Sequence, residues 1–151
     1  MGADETWPLR PDSPAHYSAT KAMAEQRVRR AAGNGFETVV VRPRLVWGPG
    51  DTTLLPPIAK AMDSGRFAWI GGGRHLTSTT HVDNVIEGLM LGAERGRSGE
   101  AYFVTDGDPP VTRLAVWLSS QECTLDISKA RRELDYEPVI SRDQGLAALS
   151  E

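Results

Sequence analysis

In the stretch SPAHYSATKAMAEQ, residues 13–26, a tyrosine and a lysine stand four apart, Tyr17 and Lys21. On an α-helix such residues share a face, with Cβ atoms roughly 5–6 Å apart, so a phenol and an ammonium can bear on one ligand. The chemistry that uses this pair is proton transfer to or from an alcohol oxygen. A free phenol, with a pKa of about 10, is a poor base at neutral pH, and a neighbouring ammonium lowers that value by favouring the phenolate. In this reading Tyr17 is the acid/base and Lys21 tunes it. The spacing alone is weak, because a Tyr-x-x-x-Lys arises by chance in roughly one chain in four of this size. The competing reading is an ordinary helix surface.

The elements around the pair predict an α/β arrangement. Ser13 is a suitable N-cap and Pro14 fits the position after it, so a helix is expected over Ala15–Ala32, with Glu25 and Arg29 at ion-pair spacing and Gly33-Asn34-Gly35 ending it. In FETVVVRPRLVWGPGD, residues 36–51, the run Val39–Val41 reads as a parallel strand buried on both faces, stopped by Pro43. Ligands of open α/β sheets sit beyond the carboxyl ends of the strands, here at Pro43–Asp51. Downstream, helices are expected at Leu55–Ser64, Val82–Ala93, Val111–Leu118, Ser128–Leu134 (capped by Asp126) and Gln144–Leu149, and strands at FAWI, HLTSTT and EAYFVT. Val82, Val85, Ile86, Leu89 and Met90 form the expected apolar face of the second of these helices.

The segments YSATKAMAE, VVVRPRLVWGPGD, IGGGRHLTSTTHVDNVIEGLMLGAERG, GEAYFVTDGDP and LDISKARRELDYEP together resemble the extended short-chain dehydrogenase/reductase family, the NAD-dependent epimerase/dehydratases. Within it they look most like the 3-beta-hydroxysteroid dehydrogenase branch. Five ordered matches are far more specific than one tetrad. The resemblance implies a partial Rossmann-like, doubly wound parallel sheet with a small substrate-binding subdomain. It implies NAD or NADP as cofactor, Tyr17 as catalytic acid/base, and Lys21 as ligand of the nicotinamide ribose. Pro43, Leu45 and Val46 would line the nicotinamide pocket, and Trp47, Gly48 and His81 the substrate side. Val82 and Asp83 continue the stretch that closes that side, although an acidic residue there equally serves to cap a helix.

The same resemblance leaves parts of the family pattern without a counterpart. A dinucleotide site needs a glycine-rich turn after a strand, where bare amides at a helix N-terminus meet pyrophosphate, and no such strand precedes Tyr17. Gly48 with Gly50, and Gly71–Gly73, read as loops. The family's hydroxyl-bearing strand has no equivalent either, since only Thr6 and Ser13 precede Tyr17. LSSQEC, after Trp117, joins directly what family members separate by a longer substrate-covering segment. The expected organisation is a polar leader, 1–13, followed by the C-terminal part of one family domain, 14–151. Without a neighbour, the strand at Val39–Val41 would expose an apolar edge, so self-association is expected.

Composition limits the alternatives. At 151 residues, 40% hydrophobic and 25% charged, the chain suits one globular domain. A net charge of −3 argues against a nucleic-acid partner. Arg27, Arg29 and Arg30 read as a solvated helix face. One cysteine, Cys123, with no signal-peptide pattern and no bilayer-length apolar run, points to the cytoplasm rather than a membrane. His75 and His81 lack a cluster that would bind zinc, and no Walker loop or nucleophile elbow is present. Two functions fit: an NAD(P)-dependent oxidoreductase or epimerase acting on a hydroxyl or keto group of a steroid-like or sugar small molecule, or a non-catalytic remnant or binding module without the dinucleotide site.

Overall fold

The helix bearing Tyr17 and Lys21, α1, spans His16–Ala31 in a computed structural model that describes residues 2–65, 76–107 and 123–149. It starts later than Ser13 would dictate. Ala15 occupies the N-cap position without a side-chain cap and is extended, while the Ser13 hydroxyl accepts the Ala15 amide at 3.3 Å inside the preceding turn. Ala32 leaves the helix in an extended conformation. Gly33 and Phe36 then exchange two backbone hydrogen bonds across Asn34 and Gly35, whose positive φ angles of 51° and 83° fit a primed turn.

The turn delivers the chain into β1, Val39–Pro43, which pairs in parallel with β4, Glu100–Val104, from Val39 opposite Glu100 to Pro43 opposite Val104. Alternate residues face opposite sides of a strand, and the two sides meet different helices. Arg42 holds Glu25 of α1 through two guanidinium nitrogens, whereas Val39 and Val41 face Gly92 of α3, Val82–Arg95. The close approach of α3 depends on small residues, for a methyl on Gly88 would stand 2.7 Å from Val104 Cγ1.

That approach overturns the expected packing face of α3. Its buried residues are Asn84, Gly88, Leu91 and Gly92, while Ile86, Leu89 and Met90 are 53–56% exposed. The small-residue face lies on the sheet because it permits close contact, and the apolar stripe turns outward with nothing over it among the described residues. The expectation of burial on both faces likewise fits β4 better than β1. Ala101, Tyr102 and Val104 are buried, but Val39–Arg42 are half-buried because no strand lies on the outer edge of β1 among the described residues.

The core gathers Leu91, Tyr102, Val104, Ile127, Ala130, Leu134 and Tyr136 between β4, α3 and α4, Ser128–Leu134. Asp126 accepts the Ser128 amide at 2.8 Å, although Ile127 holds the N-cap position of α4. The outer edge of β4 is blunted by side chains. Glu5 accepts the Phe103 amide at 2.7 Å, and the Lys129 ammonium donates to the Ala101 carbonyl at 3.0 Å. Glu5 belongs to the polar stretch before α1, which is bound to the fold where Ala3 exchanges backbone hydrogen bonds with Thr124 and Asp126.

A second parallel pair, β2 (Val46–Trp47) with β3 (Thr80–His81), follows the carboxyl end of β1. Of HLTSTT only Thr80 enters this pair, and Thr77 forms an isolated bridge to Cys123. The remaining helices are α2, Leu55–Asp63, and α5, Arg142–Ala148, the latter started by a Ser141/Gln144 capping box. FAWI, Trp69, Gly71–Gly73, His75 and the expected helix at Val111–Leu118 lie outside the described residues. No described helix is long and apolar enough to cross a membrane.

Candidate active site

Tyr17 and Lys21 share one face of α1, with the Lys21 Nζ 5.8 Å from the centroid of the Tyr17 ring. The ammonium therefore lies over the ring face, a cation–π arrangement. Tyr17 is 75% exposed, and its hydroxyl has no hydrogen-bond partner among the described residues. Lys21 has no carboxylate partner. It lines a cleft of about 850 Å³ together with Trp7, Leu9, Arg44, Phe103 and Leu125. Tyr17 stands one turn earlier, outside the walls of that cleft.

The loop leaving β1 is held from below. Thr80 is fully buried, and its hydroxyl accepts the Arg44 amide at 3.0 Å while standing 3.0 Å from the Arg44 carbonyl and 3.1 Å from that of Val104. Leu45 then adopts φ +46°, a left-handed conformation unfavourable for leucine that persists only where surroundings enforce it. Pro43 and Val46 are exposed beside it. The backbone expected to meet nicotinamide is thus fixed and accessible.

Trp47, Gly48 and His81 are placed differently from the substrate-facing position expected of them. All three are buried, and none lines the cleft. The Trp47 and His81 rings meet edge to face with centroids 4.9 Å apart. A methyl on Gly48, itself at φ +137°, would stand 3.0 Å from His81 Nε2. His81, not Asp83, caps α3, its Nδ1 accepting the Asp83 amide at 3.2 Å. The imidazole Nε2 is buried without a hydrogen-bond partner among the described residues, while the indole turns inward onto a carboxylate beneath it.

That carboxylate is Asp106, just past β4. It accepts the His81 amide and the Asn84 side-chain amide through Oδ1, and the Trp47 indole N–H and the Thr79 hydroxyl through Oδ2. Asn84 also pairs with both backbone groups of Ile140. One side chain therefore ties β2, β3 and the start of α3 together, and through Asn84 the approach to α5. Sequence reading gave Asp106, Arg44 and Thr80 no role. The available signal for Asp106 was an acidic residue closing an otherwise buried strand, followed at once by glycine.

The strand–glycine–helix sequence from β2 to α2 offers a structural test for a dinucleotide cradle. Such a cradle needs free amides at the helix N-terminus. Here the Asp51 carboxylate already accepts the amides of Thr53, Leu54 and Leu55 at 2.7–2.9 Å, and Pro56 and Pro57 have none to give. Partial burial pushes the Asp51 carboxyl upward in pKa, but the three amides overcome that and hold it below the usual carboxylate range. These donors do not fit a pyrophosphate. The other end differs, for among the described residues the Lys21 ammonium has no carboxylate partner and lines the same cleft as Arg44, which follows β1.

The model of the 3-beta hydroxysteroid dehydrogenase/isomerase family matches residues 1–129. The chain is 42% identical to the 4-hydroxy-2-methyl-3-oxo-4-farnesyl-3,4-dihydroquinoline-1-oxide ketoreductase of Stigmatella aurantiaca, a match covering 99% of this chain and 59% of the relative. That alignment extends over 197 positions although this chain has 151 residues, so the relative carries internal residues with no counterpart here. The 2-alkyl-3-oxoalkanoate reductase of Stenotrophomonas maltophilia is 43% identical over 72% of this chain and 34% of its own length. Among solved structures, the dTDP-glucose 4,6-dehydratase DesIV of Streptomyces venezuelae, crystallised with NAD, superposes with a TM-score of 0.74 at 26% identity, over 98% of this chain and 53% of that one. The chain thus spans little more than half the length of the ketoreductase and the dehydratase.

Proposed function

The chain belongs to the 3-beta hydroxysteroid dehydrogenase/isomerase family, a family of oxidoreductases, and from that premise we propose that residues 14–151 are the C-terminal part of an NAD(P)-dependent oxidoreductase or epimerase-type domain. The substrate is a steroid-like or sugar small molecule bearing a hydroxyl or keto group, the keto form being favoured by the names of the two reductases above. The observation that carries the reading is the pairing of a partner-free Tyr17 hydroxyl with an unpaired Lys21 ammonium on one helix face, at the edge of a cleft.

Nicotinamide, when bound, supplies or accepts the hydride. The chain's own residues handle the proton and the placement. Tyr17 gives its phenolic proton to the carbonyl oxygen in reduction, or takes the hydroxyl proton in oxidation. Lys21 holds the ribose hydroxyls and sets its ammonium over the Tyr17 ring. The backbone from Pro43 through Leu45 and Val46 packs against the nicotinamide, and the enforced left-handed Leu45 supports a positional role there. One observation favours a second reading, a binding module without the dinucleotide site: Asp51 occupies the amides that a cradle would need.

Titration with NADH separates the two. The first reading expects saturable enhancement of nicotinamide fluorescence at sub-millimolar to millimolar cofactor, since only the nicotinamide end is gripped, and its loss in Lys21→Met. No signal at several millimolar NADH would select the binding module. Either way the open edge of β1 and the outward stripe of Ile86, Leu89 and Met90 lead to self-association. Light scattering after size exclusion should show more than one chain per particle, and a sharp monomer peak at micromolar concentration would contradict it.

A further inference from the structure

The cleft beside Lys21 concentrates positive charge in a chain whose net charge is −3. Its walls hold Arg10, Lys21, Arg42 and Arg44 against a single acid, Glu25. Two of the arginines are satisfied internally. Arg10 is held by Asp12, and Arg42 takes both oxygens of Glu25. Arg44 is not, for its guanidinium makes one hydrogen bond, from Nε to the Thr77 hydroxyl at 3.2 Å, and faces no carboxylate among the described residues.

This arginine is also held in place. Its amide and carbonyl both meet the buried Thr80 hydroxyl, and the residue is half-buried. A guanidinium drawn partly out of water without a counter-ion is unfavourable unless a ligand brings one. Its fork matches the two oxygens of a carboxylate. The remaining walls include Trp7, Leu9, Leu76, Phe103 and Leu125, which suit an apolar body. We propose that Arg44 anchors the carboxylate of an amphiphilic acid whose hydroxyl or keto group reaches Tyr17. This names a substrate class for the site and rests on the oxidoreductase reading for the identity of the reacting end. The carboxylate contact itself needs neither cofactor nor turnover.

Calorimetric titration without cofactor tests it, using octanoate, methyl octanoate and octyl phosphate as probes. Octanoate should bind at least tenfold tighter than the uncharged ester in low salt, the scale of a charge-assisted bidentate contact, and added salt should narrow the gap. Arg44→Leu, checked for native circular dichroism, should reduce octanoate to the affinity of the ester, and Arg44→Lys should keep part of the preference. Equal binding of octanoate and ester by the unmodified chain overturns the proposal without any variant. So does an unchanged preference in folded Arg44→Leu, while octyl phosphate binding more tightly than octanoate overturns the choice of carboxylate. If NADH binds normally while the octanoate preference is absent, only the anchor fails. If octanoate is preferred but NADH never binds, the anchor stands and the oxidoreductase reading falls.

Discussion

Asp106→Ala is expected to destabilise the fold by about 2–4 kcal/mol, because several part-buried donors, each costing about 1–3 kcal/mol when left unsatisfied, lose the charged acceptor they share, against a typical total of about 5–15 kcal/mol. The size follows from what is left behind. Four donors converge on the carboxylate: the His81 backbone amide, the Asn84 side-chain amide, the Trp47 indole and the Thr79 hydroxyl. Trp47, His81 and Asn84 are at most 3% exposed, so water reaches their donors far less readily than it reaches half-buried Thr79. Asp106→Asn keeps the shape but turns an NH2 toward one pair of donors, and about 1–3 kcal/mol is expected for it. Urea unfolding of both variants measures the difference. Asp12→Ala, which removes a carboxylate 71% exposed in its surface pair with Arg10, is the control and should stay within about 0.5 kcal/mol. A loss below about 1 kcal/mol for Asp106→Ala would mean the carboxylate does not organise the region.

What was legible in the sequence follows the range of the forces involved. The buried strand EAYFVT, the helix at Ser128–Leu134 and the shared face of Tyr17 and Lys21 depend on local periodicity, and the structure shows each of them. α3 shows where local pattern misleads. Its apolar stripe was the obvious core face, yet close packing against Val104, Val39 and Val41 selects the glycine-bearing side, a choice made by the sheet and invisible along the helix. Ser13 loses its capping role because Ala15 stays extended and the helix begins only at His16. The resemblance implied the substrate side for Trp47 and His81, whereas what fixes them in the fold, the Asp106 carboxylate on the Trp47 indole and the His81 backbone amide, lies 59 and 25 residues away. Arg44 has the same cause: an arginine becomes notable only once every nearby carboxylate is seen to be engaged elsewhere.

Tyr17→Phe is expected to lower turnover of an oxo substrate with NADH or NADPH by about 10²–10⁴-fold in the oxidoreductase domain proposed above, the usual contribution of a positioned acid/base. The environment makes the substitution unusually clean. Tyr17 is 75% exposed and its hydroxyl bonds to nothing among the described residues, so removing the oxygen should change stability by no more than about 0.5 kcal/mol. A lost rate would therefore report chemistry and not unfolding. The cation–π contact needs only the ring, which phenylalanine retains, so Lys21 should stay in place and NADH affinity should hold within about twofold. Lys21→Met should behave differently, raising the cofactor dissociation constant as well as slowing the reaction, because the ammonium is assigned both tasks. Initial rates for the two variants, taken with NADH titrations, resolve these roles. Full activity in folded Tyr17→Phe would transfer the proton to another donor, and the neighbouring Lys21 ammonium would be the first to test.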